Sequence, residues 1–318
     1  MHFTVIVPTY NRIEKLEQCL LALSEQDYPS DLFDVVVVDD GSNVDLENAI
    51  AKARAHLPLT LLKQNNSGPA AARNNGAFHA RGDILAFTDD DCLPARDWLA
   101  VLATRFLDPC VTMVGGLTIN SLQHNIFSAA SQLIIHMVYR YYNQKSERAC
   151  FFASNNLAIR KTNFDEIDGF DVRFRTSEDR ELCDRCLFMG MRLVYEHKAV
   201  IYHTHELNFA EFACQHFNYG RGAYHYHRVR AQRGSGNILA DVGFCLNLRN
   251  WLWPKAEDVQ IPWLKLVFLL LFWQVANAAG FFWQTLQRKQ MNMNHDNLKD
   301  DTSTSNRQTQ EVGGIHPV

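Results

Sequence analysis

Short apolar runs, each closed by a polar cluster and followed by a stretch with helical spacing, set the rhythm of the N-terminal third of the chain. Phe3–Pro8 reads as a buried strand, the turn Thr9-Tyr10-Asn11-Arg12 follows, and Ile13, Leu16, Cys19, Leu20 and Leu23 then share one helix face. Asp34–Val38 is a strand apolar on both faces and ends in Asp39-Asp40-Gly41-Ser42. A helix over about 44–56, a strand over 59–63, a Gly-Pro loop, a helix over about 69–80 and a strand over 83–88 continue the alternation. Continuously apolar short strands between helices predict a Rossmann-type α/β fold with a mostly parallel sheet covered on both faces. Such sheets bind ligands at the carboxyl ends of their strands. Thr9-Tyr10-Asn11, Asp39-Asp40 and Asp89-Asp90-Asp91 each close a predicted strand.

From about 111 the pattern changes. A strand at Val111–Gly115 leads to an apolar helical stretch over 122–142, a mixed segment at Phe151–Ile159, a helix around 178–190 and a strand over 192–202, with no internal repeat. Val267–Trp283 carries no charge and is bracketed by Lys265 and Arg288-Lys289, but Gln274 and Asn277 interrupt it, and a spanning helix needs about 20 apolar residues. Trp251 and Trp253 precede it, amphipathic aromatics suited to a lipid headgroup boundary. Membrane contact over 238–286 is expected, as one short span or an interfacial hairpin; a buried core helix is the alternative. The last 28 residues, from Met291, are polar and lack aromatics, so a disordered tail is expected.

Composition narrows the function classes. At 318 residues, 47% apolar and 21% charged, the chain is neither disordered throughout nor a coiled coil. Lys and Arg number 31 against 35 Asp and Glu, for a formal charge of -4 and no dense basic run, which argues against a general nucleic-acid binder. Eight cysteines scattered through apolar segments point to a reducing compartment. The first 25 residues read as strand, turn and helix, so no export signal is expected.

Three adjacent carboxylates at Asp89-Asp90-Asp91 repel one another, by about 1 kcal/mol per close solvated pair. A hard divalent cation relieves that repulsion and brings phosphates with it; an acidic surface turn is the plain alternative. Asp39-Asp40 suits a base imide or a ribose hydroxyl, or ordinary turn chemistry. Ser67-Gly68-Pro69-Ala70-Ala71-Ala72-Arg73-Asn74 opens a helix with small residues and an arginine able to grip an oxyanion. Glu178-Asp179 begins another helix, as a charge complement to its dipole or as a general base. His203 and His205 lie two apart on a strand and share a face. Cys183-x-x-Cys186 is read as core before zinc, since no second paired motif accompanies it.

Taken in order, Val-Pro-Thr-Tyr-Asn-Arg, Val-Val-Asp-Asp-Gly-Ser, Gly-Pro-Ala-Ala-Ala-Arg-Asn, Asp89-Asp90-Asp91, Ser154-Asn155-Asn156, Gly169-Phe170-Asp171 and Glu178-Asp179 resemble the family-2 inverting glycosyltransferases of the GT-A fold, over roughly 3–225. The resemblance implies a nucleotide-diphosphate-sugar donor, with a UDP-sugar the first expectation, and Mg2+ or Mn2+. It implies that Pro8, Tyr10 and Asp40 hold base and ribose, that Arg73, Asp89 and Asp90 contact the donor, and that Asp91 and His203 bind the metal. It makes Asp179 the base, with Asn155, Gly169, Phe170 and Glu178 toward a carbohydrate or lipid-linked acceptor. The implied organisation is a donor half at 1–118, an acceptor and base half at 119–235, membrane-associated helices at 236–290 and a tail at 291–318, working at the cytoplasmic membrane face. Gln215-His216-Phe217-Asn218-Tyr219 stands where processive members carry Gln-x-x-Arg-Trp, which favours single transfer; Arg221 is the remaining candidate for the diphosphate. A dinucleotide oxidoreductase is disfavoured because the first turn lacks G-x-G-x-x-G. A nucleotidyltransferase or an inactive scaffold of the same fold are the other readings.

Overall fold

The valine-rich strand β1 (Phe3–Thr9) is the spine of the sheet, pairing in parallel with β2 (Phe33–Asp39) on one side and β4 (Ile84–Phe87) on the other. The computed structural model describes residues 1–236, 238 and 262–311, with side chains to residue 290 except 289. Strand β3 (Leu59–Lys63) lies parallel to β2 at one edge. Beyond β4 come β7 (Leu157–Arg160), β6 (Met113–Asn120), β8 (Leu193–His203) and the short β5 (Cys92–Pro94), giving the order β3-β2-β1-β4-β7-β6-β8-β5. Strand β7 runs antiparallel to both neighbours and β5 antiparallel to β8; the other pairings are parallel. The expected mixed, mostly parallel α/β sheet is present. Because β7 runs backwards, its start reaches the same sheet edge as the ends of β1, β2 and β4.

Alternation along β1 sorts the core. Phe3, Val5 and Val7 face one layer with α1 (Ile13–Ser24) and α4 (Trp98–Phe106), while Ile6 faces the other with α3 (Pro69–His79) and α7 (Glu178–Phe188). Helices α2 (Glu47–Arg54), α5 (Ile126–Tyr142) and α6 (Lys161–Glu166) complete this part. Neither β5, α4 nor α6 was expected from the sequence. The fully buried Trp98 of α4 donates its indole N–H to Asn156 Oδ1 at 3.0 Å, and Asn156 Nδ2 donates to the Leu117 and Ala199 carbonyls at 3.0 Å each, fastening α4 to the sheet.

A third apolar cluster joins α5, α8 (Phe209–Arg233) and α9 (Trp263–Glu311) through Leu133, Phe212, Leu269 and Trp273. A reciprocal capping box of Asn208 and Glu211 starts α8, and Gly234 in the left-handed region (φ 77°) stops it. Ring contacts Phe209–Phe272 and Tyr224–Phe281 ascend together, so α8 and α9 run parallel. Gly220 and Gly280 allow the close crossing, because a Cβ at either would meet the backbone of Asn277 or Phe217. Trp263–Arg288 is long and apolar enough to cross a membrane, with a third of its most apolar window buried against the protein. Leu264, Phe268, Leu271, Val275 and Leu286 are exposed on its outer side.

Helix α9 continues through Met291 to Glu311. No Gly or Pro falls between Gly280 and Glu311, so nothing in the chain stops the helix, and polar composition alone does not separate an exposed helix from coil. Trp251, Trp253 and residues 312–318 lie outside the described residues.

Candidate active site

The ends of β1, β2, β4, β6 and β8, the start of β7 and the first turns of α3 and α7 open onto one cleft of about 1030 Å3. Pro8, Tyr10, Asp40, Arg73, Asp89, Asp90, Asp91, Asn155, Glu178, Asp179 and His203 all line it. Residues 8 and 203, at opposite ends of the reading, therefore meet in one place.

Arg73 is the hub. Buried in α3, it donates from Nη2 to Asp89 Oδ1 at 2.7 Å and from Nη1 to Glu178 Oε1 at 3.0 Å, linking the acidic trio to the first turn of α7. Its guanidinium carbon lies 5.6 Å from the centre of the Phe170 ring. Burial raises the Glu178 carboxyl, opposed by the charge of Arg73. Next to it, Asp179 is pushed up to about 7 by burial and then by the charge of Glu178. Ser177, immediately before them, sits at φ 69°, a left-handed conformation that costs a non-glycine residue about 1–3 kcal/mol. Helix α8 over-determines that turn: Thr176 Oγ1 donates to the Asn218 carbonyl at 2.9 Å, and Gly222 leaves the space that Thr176 and Ser177 fill.

The trio splits by environment. Asp90 accepts from Thr9 Oγ1 at 2.8 Å and from Arg12 Nη1 at 3.1 Å, and burial pushes its carboxyl up to about 6. For Asp91 burial works in the same direction but is outweighed by the hydrogen bond and charge of His203 and the charge of Arg12, so its carboxyl falls well below the usual range. Arg12 Nη1 is 3.1 Å from Asp91 Oδ2, and His203 Nε2 is 3.2 Å from Asp91 Oδ1. The ligand atoms of Asp91, Cys92 and His203 lie within 4.8 Å of one another. Burial and the charges of Asp89 and Asp91 raise the Cys92 thiol above its ordinary pKa, which leaves the Asp91 carboxylate and the His203 imidazole as the readier donors. Those residues fit Mn2+, which accepts mixed oxygen and nitrogen donors, better than Mg2+, which keeps to oxygen. His205 stacks on His203 with ring centres 4.9 Å apart, and burial together with the charge of His203 drives it down to about 4.

Other expected residues are engaged by the protein itself. Asp40 lines it, yet both carboxylate oxygens hold the loop before α3, accepting from Gln64 Nε2, Ser67 N–H and Gly68 N–H at 2.8–2.9 Å. Gly169 and Phe170, expected beside the acceptor, are not part of the cleft wall. Asn74 pins the Phe170 backbone in both directions at 2.8 Å, and the ring packs on Phe87 and Phe164. Phe170 thus supports Arg73 from below. Arg221 turns away onto α9, donating to Gln284 Oε1 at 3.0 Å and Asn218 Oδ1 at 3.3 Å. Cys183 and Cys186 are buried in the core, with Cys183 Sγ accepting from the Phe152 N–H at 3.4 Å. Arg12, Arg175, Arg180 and Tyr142 line the cleft and were not singled out. Arg12 alone carried a signal, its place in the turn after β1.

The glycosyl transferase family 2 model matches residues 4–178, more than half of the chain and all of the trio and Arg73. The chain belongs to glycosyl transferase family 2. Among curated relatives it is 30% identical over 226 residues to a pre-mycofactocin glycosyltransferase of Mycobacterium tuberculosis, covering 69% of this chain and 46% of that protein. It thus spans about half the length of that relative. It is 28% identical over 222 residues to glycosyltransferase AglE of Haloferax volcanii, covering 69% of this chain and 72% of the relative. Among solved structures, the mannosyltransferase PcManGT of Pyrobaculum calidifontis, in complex with GDP-Man and Mn2+, superposes with a TM-score of 0.66 at 22% identity, covering 89% of this chain and 87% of that one. The S. aureus TarS 1–349 complex with UDP-GlcNAc gives a TM-score of 0.52 at 18% identity, covering 91% and 92%. The fold of this family-2 chain is the one those proteins share.

Proposed function

We propose that this family-2 chain transfers one sugar from a nucleoside-diphosphate sugar to an acceptor hydroxyl by single displacement with inversion. Asp179 accepts the proton of the attacking hydroxyl as the new bond forms between its oxygen and the anomeric carbon. The bond from that carbon to the diphosphate breaks on the opposite face, and the diphosphate leaves with the electron pair. A carboxyl poised near neutrality suits a general base working at neutral pH. Arg73 and Asp89 orient the donor, with Asp90 fixing the turn of Arg12, while Pro8, Tyr10 and Asp40 frame the nucleoside end. Asp91 and His203 would hold Mn2+ or Mg2+, which when bound supplies positive charge against the departing diphosphate. The donors bound in the similar solved structures, UDP-GlcNAc and GDP-Man, make UDP- and GDP-hexoses the first to test. The exposed apolar side of α9 supports association with a membrane, on the cytoplasmic side where such donors are made.

The observation that carries this reading is the Arg73 bridge, which ties Asp89 to Glu178 and so brings Asp179 to the same cleft as the trio. A screen of nucleotide sugars by thermal unfolding, with and without Mn2+, tests it. A metal-dependent rise in Tm with one donor class, and slow hydrolysis of that donor without acceptor, are expected. Absence of any nucleotide-dependent shift sinks the reading.

A further inference from the structure

The cleft extends beyond the donor side. Its volume of about 1030 Å3, at the upper end of the roughly 300–1,000 Å3 of small-molecule sites, continues past Asp179 between α5, α8 and α9. Three helix faces meet there. Helix α5 presents Ile134, Ile135 and Val138, α8 presents Tyr219 and Ala223, and α9 presents Trp273, Ala278 and Phe281, each set at helical spacing. No donor phosphate or ribose has use for these apolar walls. Two of the polar side chains among them have buried nitrogens without a hydrogen-bond partner among the described residues. His216 is 1% exposed, and neither ring nitrogen has a hydrogen-bond partner among the described residues; Gln274 Nε2 is likewise buried and without one. Leaving such groups unsatisfied costs about 1–3 kcal/mol each, so they mark a place where a ligand supplies the missing bonds. Burial holds His216 at about 4, so it meets that ligand as a neutral imidazole.

Resting on the transferase reading above, we infer that the acceptor is amphiphilic: its hydroxyl head lies at Asp179, its apolar chain lies between α5, α8 and α9, and His216 and Gln274 hydrogen-bond an uncharged polar junction between them. The groove is walled by α9, whose other side exposes Leu264, Phe268, Leu271 and Val275. A bilayer against that side places an apolar chain beside the helix that walls the groove.

The test uses the full chain in phosphatidylcholine nanodiscs with n-dodecyl β-D-glucoside carrying a terminal diazirine. After photolysis, the labelled residues are mapped by mass spectrometry. Labels are expected on Ile135 or Val138 and on Ala223 or Phe281, competed by unlabelled dodecyl glucoside but not by glucose. Ile135→Trp and Ala278→Trp each fill the groove and are expected to cut that labelling at least tenfold. The wild-type map alone decides if a variant does not fold. Labels confined to the outer side of α9, labelling unchanged in folded variants, or equal competition by glucose overturns the inference. Nucleotide-dependent stabilisation is read in the same samples: its loss condemns the donor reading, while its presence with an unlabelled groove condemns only the amphiphilic acceptor.

Discussion

Replacing Arg73 with Met preserves most of the side-chain volume and deletes the cation between two carboxylates. The Arg73 side chain is 4% exposed, Glu178 10% and Asp89 31%. Removing one partner of a buried ion pair costs about 3–5 kcal/mol, because the other charge stays behind unpaired. Water reaches Asp89 and takes over part of its share, so the lower end, about 3 kcal/mol, is expected. At about 1.4 kcal/mol per decade that is a hundredfold shift in the unfolding equilibrium. With a urea slope of about 3 kcal/mol/M the midpoint falls by about 1 M. Equilibrium unfolding in urea, followed by the fluorescence of the buried Trp98, measures it. The pH dependence adds a second check. Burial already raises the folded-state pKa of Glu178 above its unfolded value, and loss of Arg73 raises it further. An acid raised in this way destabilises the fold when ionised, so the deficit is complete above the folded pKa and fades as pH falls toward the unfolded one. The gap between wild type and variant therefore narrows between pH 8 and pH 5. A loss under about 1 kcal/mol, or one equal at both pH values, refutes the claim that Arg73 neutralises buried charge.

Four other outcomes are expected. Asp179→Asn lowers kcat by about 10²–10⁴ and leaves donor affinity unchanged, read from initial rates and calorimetry; normal turnover removes Asp179 as base. In the wild type, kcat climbs as pH rises through about 7, because burial and Glu178 hold Asp179 protonated below that point and the base must be ionised; a rate flat from pH 5 to 8 contradicts this. Asp91→Ala and His203→Ala each weaken Mn2+-dependent nucleotide binding in calorimetry while metal-free binding is kept, and an unchanged Mn2+ dependence denies them the ligand role. Gly280→Val drives a side chain into the Phe217 backbone and parts α8 from α9. It lowers stability by about 1–3 kcal/mol in thermal unfolding, as overpacking does, and an unaltered Tm shows that the crossing is looser than described.

The local pattern was legible wherever the chain speaks for itself. Unbroken Val-rich runs announce β1 and β2, and Pro69 with small residues announces the start of α3, because these choices depend on backbone sterics and on burying both faces of a strand. The candidate residues were visible as types, since Asp89-Asp90-Asp91 and Asp39-Asp40 each close a strand, but an acidic turn reads the same way until the structure places Arg73, Arg12 and His203 against them. What stayed hidden is whatever depends on partners distant in sequence. Nothing local says that β7 runs backwards, or that Arg73 reaches across 105 residues to Glu178. Nor does anything local say that Phe170 turns inward to support that arginine, or that Arg221 is spent on α9. Direction of pairing, ion-pair choice and the sharing of one cleft are settled by which surfaces remain uncovered once the layers pack, and that sum over the whole molecule is decided only in three dimensions.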